Sequence, residues 1–333
     1  MNSGADACLS VTILSDEAHD IATAISTQLS ESNATSHSLA MGKNTKIHIE
    51  KIATSPKEIE PEAVNILLAA PDLAAEIIEQ CHNIKWCQST WAGNAPLLRA
   101  SKKDYTLTGL KGIFGKLMRE YVFAYLLEHA RNTSMFRQNQ QEQPPKWEAS
   151  PRIPLHGQTL GILGLGSIGK ALIPVAHAFG MRVIGLSRSG AAVDGVHAMY
   201  TQESAVEFAG QADHLVNLMP DTPQTQNFIS DNILKALKSH SVFINAGRGN
   251  AVDDEALIKC LNAGYLKHAV LDVFKQEPLP KDHAFWVHPK ITITAHTAAE
   301  SQPSDVASVF LENAFRYLAS EPLLYQFDFD KGY

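Results

Sequence analysis

The sequence predicts an α/β protein built on two doubly wound parallel sheets, and three observations carry that prediction. Short apolar runs alternate with longer stretches of helical periodicity along most of the chain, which is the pattern of parallel strands covered by helices. A glycine-rich turn, Gly164-Leu165-Gly166-Ser167-Ile168-Gly169, joins one such run to one such stretch. The chain has 333 residues, 45% of them hydrophobic, enough for two domain cores.

In chain order, Val11–Leu14, Ile47–Ile49, Val64–Ala69 and Ile84–Gln88 read as strands, with a helical pattern over Glu17–Ser30 between the first two. Asp104–Gly109 adds a short strand. From Gly115 to Asn132 the apolar residues Leu117, Met118, Tyr121, Val122, Tyr125 and Leu126 recur at helical spacing, which predicts a long helix with a broad apolar arc. The stretch Gln138–Pro145 is polar and ends in two prolines, so it reads as an irregular surface connection. Beyond it, Thr159–Leu163, Arg182–Leu186, His214–Met219, Ser241–Asn245, His268–Val273 and Ile291–Thr294 are mostly continuous apolar runs, as expected of strands buried on both faces. These six predict a complete dinucleotide-binding sheet. A last helical stretch covers Asp305–Leu318.

Composition narrows the function classes. With 28 basic and 35 acidic residues the net charge is −7, and no basic run forms a phosphate-binding stripe. No nucleic-acid or membrane-surface partner is expected. The four cysteines, Cys8, Cys81, Cys87 and Cys260, form no CxxC pair, so no metal site is expected and a reduced, cytoplasmic protein is. The polar N-terminus (MNSGADACLS) has no basic segment ahead of an apolar one, so no secretory leader is expected. No apolar run reaches the length of a membrane span.

The GxGxxG turn follows a strand and opens the helical stretch Lys170–Phe179, the context in which it binds a dinucleotide. Gly164 permits the tight turn, Gly166 lets the backbone approach a pyrophosphate, and Gly169 lets the helix pack closely on the strand. Ser167 and Ile168 place first-turn N–H groups at the phosphates. The second strand ends at Ser187-Arg188-Ser189, with Ser187 eighteen residues after Gly169, where an acidic residue would accept the ribose hydroxyls of NAD. Serine and arginine there suit a 2′-phosphate. NADP(H) is therefore the expected cofactor, with NAD(H) the alternative if Arg188 is a solvated loop residue.

Three further sites lie just past three successive strands: Arg248 in Ala246-Gly247-Arg248-Gly249, Glu277 before Pro278, and His296 in Ala295-His296-Thr297. The carboxyl ends of strands line the ligand crevice of an open α/β sheet. A planar cation suits the carboxylate of a 2-oxoacid. A histidine suits proton donation to the alkoxide that hydride addition creates, and a carboxylate suits stabilising the imidazolium. Glu277 fills that last role for His296.

The stretches LGILGLGSIGKAL, NLMPDTPQT, FINAGRGNAVDDEAL, LDVFKQEPLP and ITITAHTA, from Leu160 to Ala298, resemble the D-isomer-specific 2-hydroxyacid dehydrogenase family. A weaker match continues upstream through Trp91–Gly93 and Glu120. The resemblance implies Arg248, Glu277 and His296 as the catalytic set, and Asp272 near the nicotinamide carboxamide. With Met219, Pro220 and Ala246, Asp272 joins the residues expected around the cofactor. It implies a Rossmann cofactor domain over 106–298 and a flavodoxin-like substrate domain made from both chain ends, 1–105 and 299–333. Trp91, Ala92 and Gly93 resemble the loop whose backbone binds the substrate carboxylate; Trp91 itself either lines the pocket or packs the domain edge. Many members carry Asp where this chain has Asn94. The helix after Gly115 is implied to build a homodimer. The Ser187-Arg188-Ser189 ending and the TWAGN loop look most like the glyoxylate/hydroxypyruvate reductase A group, which implies NADPH-dependent reduction of a small 2-oxoacid. The second reading is a dinucleotide-sensing interaction protein, similar to the corepressor branch of the same fold.

Overall fold

The computed structural model describes residues 8–34, 46–150 and 153–331. Most of the polar N-terminal stretch discussed above falls outside them. The first sheet contains β1 (Cys8–Leu14), β2 (Lys46–Ala53), β3 (Ile66–Ala69), β4 (Trp86–Ser89) and β5 (Thr106–Thr108), with helices α1 (Ala18–Ala34), α2 (Pro71–Ile77) and α3 (Ala95–Arg99) between strands. All strands pair in parallel, in the order β2-β1-β3-β4-β5. That is the flavodoxin-like doubly wound order. Val11, Ile13, Leu14, Leu67 and Leu68 are fully buried, which is why these runs are apolar without alternation.

The second sheet follows two helices, α4 (Gly115–Arg131) and α5 (Thr133–Gln141). Its strands and helices are β6 (Thr159–Leu163), α6 (Ser167–Ala178), β7 (Arg182–Leu186), β8 (Ala198–Tyr200), α7 (Ala205–Gln211), β9 (His214–Asn217), α8 (Asp231–Ala236), β10 (Val242–Asn245), α9 (Asp254–Ala263), β11 (His268–Leu271) and β12 (Ile291–Ile293). The parallel order is β12-β11-β10-β9-β6-β7-β8, so the winding reverses between β6 and β9. Successive residues serve two cores: Phe243 and Leu271 pack on one face, Ile244 and Val270 on the other. This follows from the two-residue period of a strand. Helix α10 (Pro303–Leu318) then returns to the first sheet. There Trp86 stacks on Phe310 at 5.5 Å and Tyr317 at 5.6 Å. Buried Asn313 bonds Gln88 Oε1 and the Leu324 backbone. These contacts tie the chain end into the first unit.

Four expectations need correction. The sheet predicted to have six strands has seven; the missing one is β8, a three-residue, half-buried edge strand pairing with β7. The two compact units are 1–113 with 301–333, and 114–300. The boundary is thus not at 105/106, because Thr106–Thr108 pairs with β4. The Gln-rich stretch is helical as far as Gln141 and buries Asn139; glutamine is a good helix former and the prolines lie beyond it. The apolar arc of α4 is mostly used within its own unit, with Met118, Val122, Phe123, Leu126 and Ala130 buried in the core. Among the described residues no helix is long and apolar enough to cross a membrane.

Three histidines are built into the second unit as neutral groups. His214 Nδ1 accepts from the Val242 N–H and its Nε2 pairs with Gln158 Oε1. His129 and His268 lie with ring centroids 4.4 Å apart. Burial pushes His129 and His268 down to about 4 and His214 to about 3. Between those values and 6.5 the unfolded chain takes up protons that the folded chain refuses. Stability is therefore full above pH 6.5 and falls as the pH drops toward 4. The melting temperature is expected to fall by about 5–10 °C between pH 7 and pH 5, and by less in His268→Gln. A melting temperature flat over this range would contradict the assignment.

Candidate active site

The glycine turn leaves β6 and enters α6. Gly164 has φ +90°, and a Cβ there would lie 2.8 Å from the Leu218 carbonyl oxygen, so only glycine fits. A Cβ on Gly169 would lie 2.6 Å from the Gly164 carbonyl oxygen, which reflects the close helix–strand approach. Gly166 caps α6, and a Cβ there would meet nothing within 4 Å. Open space thus faces the first-turn N–H groups of Ser167, Ile168 and Gly169, and that turn contains no acidic side chain. The residues present fit a pyrophosphate.

At the end of β7, Ser187 Oγ accepts from the Gly190 N–H and Ser189 Oγ from the Ala191 N–H. Each hydroxyl keeps its own hydrogen to donate. Arg188 is exposed between them, and no acidic residue occurs from Ser187 to Val193. The neighbouring strand ends are locked by a buried amide pair that the sequence reading missed. Asn217 Nδ2 donates to Asn245 Oδ1 at 2.8 Å, and Asn217 Oδ1 accepts from the Met219 N–H. Asn245 Oδ1 also accepts from the Gly247 N–H, while its Nδ2 donates to the Arg248 carbonyl. The two amides fix Met219, Gly247 and Arg248 relative to one another. Pro220 is held by Thr225 Oγ1, which donates to its carbonyl.

Arg248, Glu277 and His296 follow β10, β11 and β12, which are adjacent in the sheet. Arg248 is half-buried and its Nη1 donates to the Gly247 carbonyl at 2.7 Å. A Cβ on Gly249 would lie 1.9 Å from the Phe274 carbonyl carbon, so this glycine lets the Arg248 turn abut the Glu277 loop. Glu277 Oε1 accepts from the Phe274 N–H at 2.8 Å, and its Oε2 lies 2.8 Å from His296 Nδ1. A carboxylate that only accepts places the imidazole hydrogen on Nδ1 and turns Nε2 outward. His296 has φ +58°, a left-handed conformation uncommon outside glycine. Asp272 holds it there: its carbonyl accepts from the His296 N–H, and its carboxylate accepts from Thr294 Oγ1, the Thr297 N–H and the Ala298 N–H. Asp272, which the sequence led one to expect beside the nicotinamide, is the anchor of the histidine turn.

Residues 123–298 match the D-isomer specific 2-hydroxyacid dehydrogenase, NAD binding domain. The chain belongs to the D-isomer specific 2-hydroxyacid dehydrogenase family. Its members are NAD(P)-dependent oxidoreductases. A relative called glyoxylate/hydroxypyruvate reductase A, from Serratia proteamaculans (strain 568), is 35% identical over 214 residues, 64% of this chain and 65% of its own length. The match thus spans a little under two thirds of that relative. A solved family member from Aeromonas salmonicida subsp. salmonicida A449 superposes with a TM-score of 0.84 at 34% identity, covering 97% of this chain and 99% of its own. Another, from Xanthobacter autotrophicus Py2 in complex with NADPH and MES, gives 0.81 at 27% identity over 98% of this chain and all of its own.

Trp91, Ala92 and Gly93 lie in the other unit, in the turn after β4. Trp91 is 44% exposed, so the turn leaves a large part of it open to solvent; its backbone N–H donates to Ser89 Oγ. Asn94, where many family members carry Asp, is buried with neither side-chain polar atom partnered, and neighbouring Thr90 Oγ1 is likewise unpartnered.

The electrostatics favour a proton on His296. The hydrogen bond to Glu277 raises the imidazole above its ordinary range, against the opposing effect of burial. Burial works to raise the Glu277 carboxyl, but the bonds from His296 and the Phe274 N–H outweigh it and hold it below the usual range. Burial also lowers Arg248, which remains a cation at any working pH. A reductase that needs protonated His296 loses activity as pH rises through the imidazole's pKa. In Glu277→Gln that alkaline limb is expected to move to lower pH. An unmoved limb in the pH–rate profile would contradict the pairing.

Proposed function

We propose that this dehydrogenase reduces a small 2-oxoacid of the glyoxylate or hydroxypyruvate type, with NADPH as the preferred reductant and NADH as a weaker one. The observation that carries this reading is the His296–Glu277 pair beside Arg248 at three adjacent strand ends, next to a glycine turn with open space at Gly166. The glycine turn and helix α6 hold the pyrophosphate, and Ser187, Arg188 and Ser189 hold the ribose phosphate. When bound, the reduced nicotinamide supplies the hydride. Arg248 binds the substrate carboxylate through paired N–H donors and draws charge toward the carbonyl oxygen. As negative charge develops on that oxygen, His296 Nε2 donates its proton and the product leaves as the 2-hydroxyacid. Glu277 stabilises the imidazolium beforehand and keeps Nε2 aimed outward. The name of the Serratia relative supports the substrate class, and the NADPH in the Xanthobacter structure supports the cofactor.

We further propose a homodimer in a reducing, cytoplasmic setting. After α4, Phe136, Trp147 and Ile153 are exposed, and the four cysteines are unpaired. Light scattering is expected to give about twice the chain mass of 36.3 kDa; the chain mass alone would contradict the dimer.

The function is tested by NADPH and NADH oxidation over a panel of 2-oxoacids, using wild type, His296→Asn and Ser187→Asp/Arg188→Ala. Wild type is expected to turn over glyoxylate or hydroxypyruvate, favouring NADPH by roughly 10- to 150-fold in kcat/KM. His296→Asn is expected to lose about 10²- to 10⁴-fold in kcat while still binding NADPH. The loop variant is expected to reverse or erase the cofactor preference. No turnover with any 2-oxoacid, despite NADPH binding, would return the chain to the dinucleotide-sensing reading.

A further inference from the structure

Tyr121 stands in the arc of α4 that the sequence pattern marks as apolar, yet its hydroxyl is spent inside the unit. It lies 2.9 Å from Thr294 Oγ1, and its ring packs edge-on against Tyr125 at 4.9 Å. Thr294 directly follows β12 on the way to His296, and its Oγ1 lies 2.5 Å from Asp272 Oδ1. The direction of this chain follows from counting hydrogens. Asp272 faces three donors (Thr294 Oγ1, the Thr297 N–H and the Ala298 N–H) and no acceptor. Thr294 therefore gives its one hydrogen to Asp272, and the hydrogen between Tyr121 and Thr294 must come from the phenol. Burial holds the phenol far above its ordinary range, so it keeps that hydrogen.

We propose that Tyr121 is a positioning residue for the acid/base histidine: its hydroxyl, donated through Thr294 to Asp272, clamps the turn that holds His296 against Glu277. The clamp reaches the turn from a helix, whereas every other group fixing His296 comes from β11, β12 or the loops after them. Without the phenol hydrogen, Thr294 keeps its bond to Asp272 but loses the one other hydroxyl partner it has among the described residues. The turn then has one fewer restraint against leaving the left-handed conformation at His296. The His296–Glu277 distance of 2.8 Å depends on that conformation. The ionisable groups facing His296 are Glu277, Arg248 and Asp272, so a slackened turn changes its titration chiefly through Glu277.

The catalytic part of this proposal rests on the 2-oxoacid reductase reading; the positioning part does not. Two readouts separate them: the His296 titration by NMR on isotopically labelled protein, which needs no turnover, and kcat for 2-oxoacid reduction with its pH profile. The variants are Tyr121→Phe, Thr294→Val, Thr294→Ser and the double variant Tyr121→Phe/Thr294→Val, each checked for an unchanged fold by thermal melt and for NADPH affinity. In Tyr121→Phe the His296 titration is expected to move to lower pH, and kcat to fall several-fold while KM for the 2-oxoacid changes little. Thr294→Ser keeps the hydroxyl and is expected to behave as wild type. In the Thr294→Val background, Tyr121→Phe is expected to add nothing, because the link is already broken. An unchanged His296 titration in Tyr121→Phe, or full additivity of the two losses, would overturn the proposal. A shifted titration in a protein that reduces no 2-oxoacid would keep the clamp and remove the reductase reading.

Discussion

The site depends on one buried carboxylate. Asp272 is 1% exposed, and a carboxyl group that deep must be matched by hydrogen-bond partners or it destabilises the fold. The donors come from the turn after β12: one hydroxyl and two backbone N–H groups on the carboxylate, with the His296 N–H on the Asp272 carbonyl. To present them, the chain must turn sharply at Thr294–Ala298, and His296 absorbs the turn in a left-handed conformation. Its ring is thereby delivered to Glu277. A requirement of polar satisfaction in the core thus fixes the geometry of the proposed acid/base histidine at the surface, where His296 itself is 54% exposed in its side chain.

The amide pair Asn217–Asn245 does the same for the neighbouring strand ends. Both residues are essentially inaccessible, and their bonds are directed at the backbone of Met219, Gly247 and Arg248. The strand ends of β9 and β10 therefore cannot fray independently. Arg248 and the turn expected at the nicotinamide move, if they move, as one piece. Such rigid support is what places reacting groups to within fractions of an ångström.

Much of this was legible in the sequence, and the parts that were not share a physical reason. The glycine turn could be read because each glycine answers a steric demand that no other residue meets. The apolar strands could be read because strands buried on both faces leave no polar alternation. Arg248, Glu277 and His296 could be read because they lie just beyond successive strand ends, where an open α/β sheet has its ligand crevice, and their chemistry suits one reaction. Strand β8 escaped because three half-buried residues at a sheet edge produce no apolar run. The assignment of Thr106–Thr108 failed because adjacency to α4 in sequence says nothing about which strand it pairs with. Asn217, Asn245 and Thr294 look like ordinary strand termini, and Tyr121 like part of an apolar stripe. Their roles exist only through partners distant in the chain. The left-handed conformation at His296 has no signature in composition at all.

In the proposed reaction a single group, His296 paired with Glu277, gives a proton in reduction and takes one back in oxidation. Its most direct test is the pH dependence of kcat in both directions on the same wild-type enzyme, with chemistry made rate-limiting by a slow substrate. Reduction is expected to fall as pH rises through one pKa, and oxidation of the corresponding 2-hydroxyacid to fall as pH drops through the same pKa, so that the two profiles mirror each other. Profiles that fall on the same side, or that break at unrelated values, would show that the proton travels through another group.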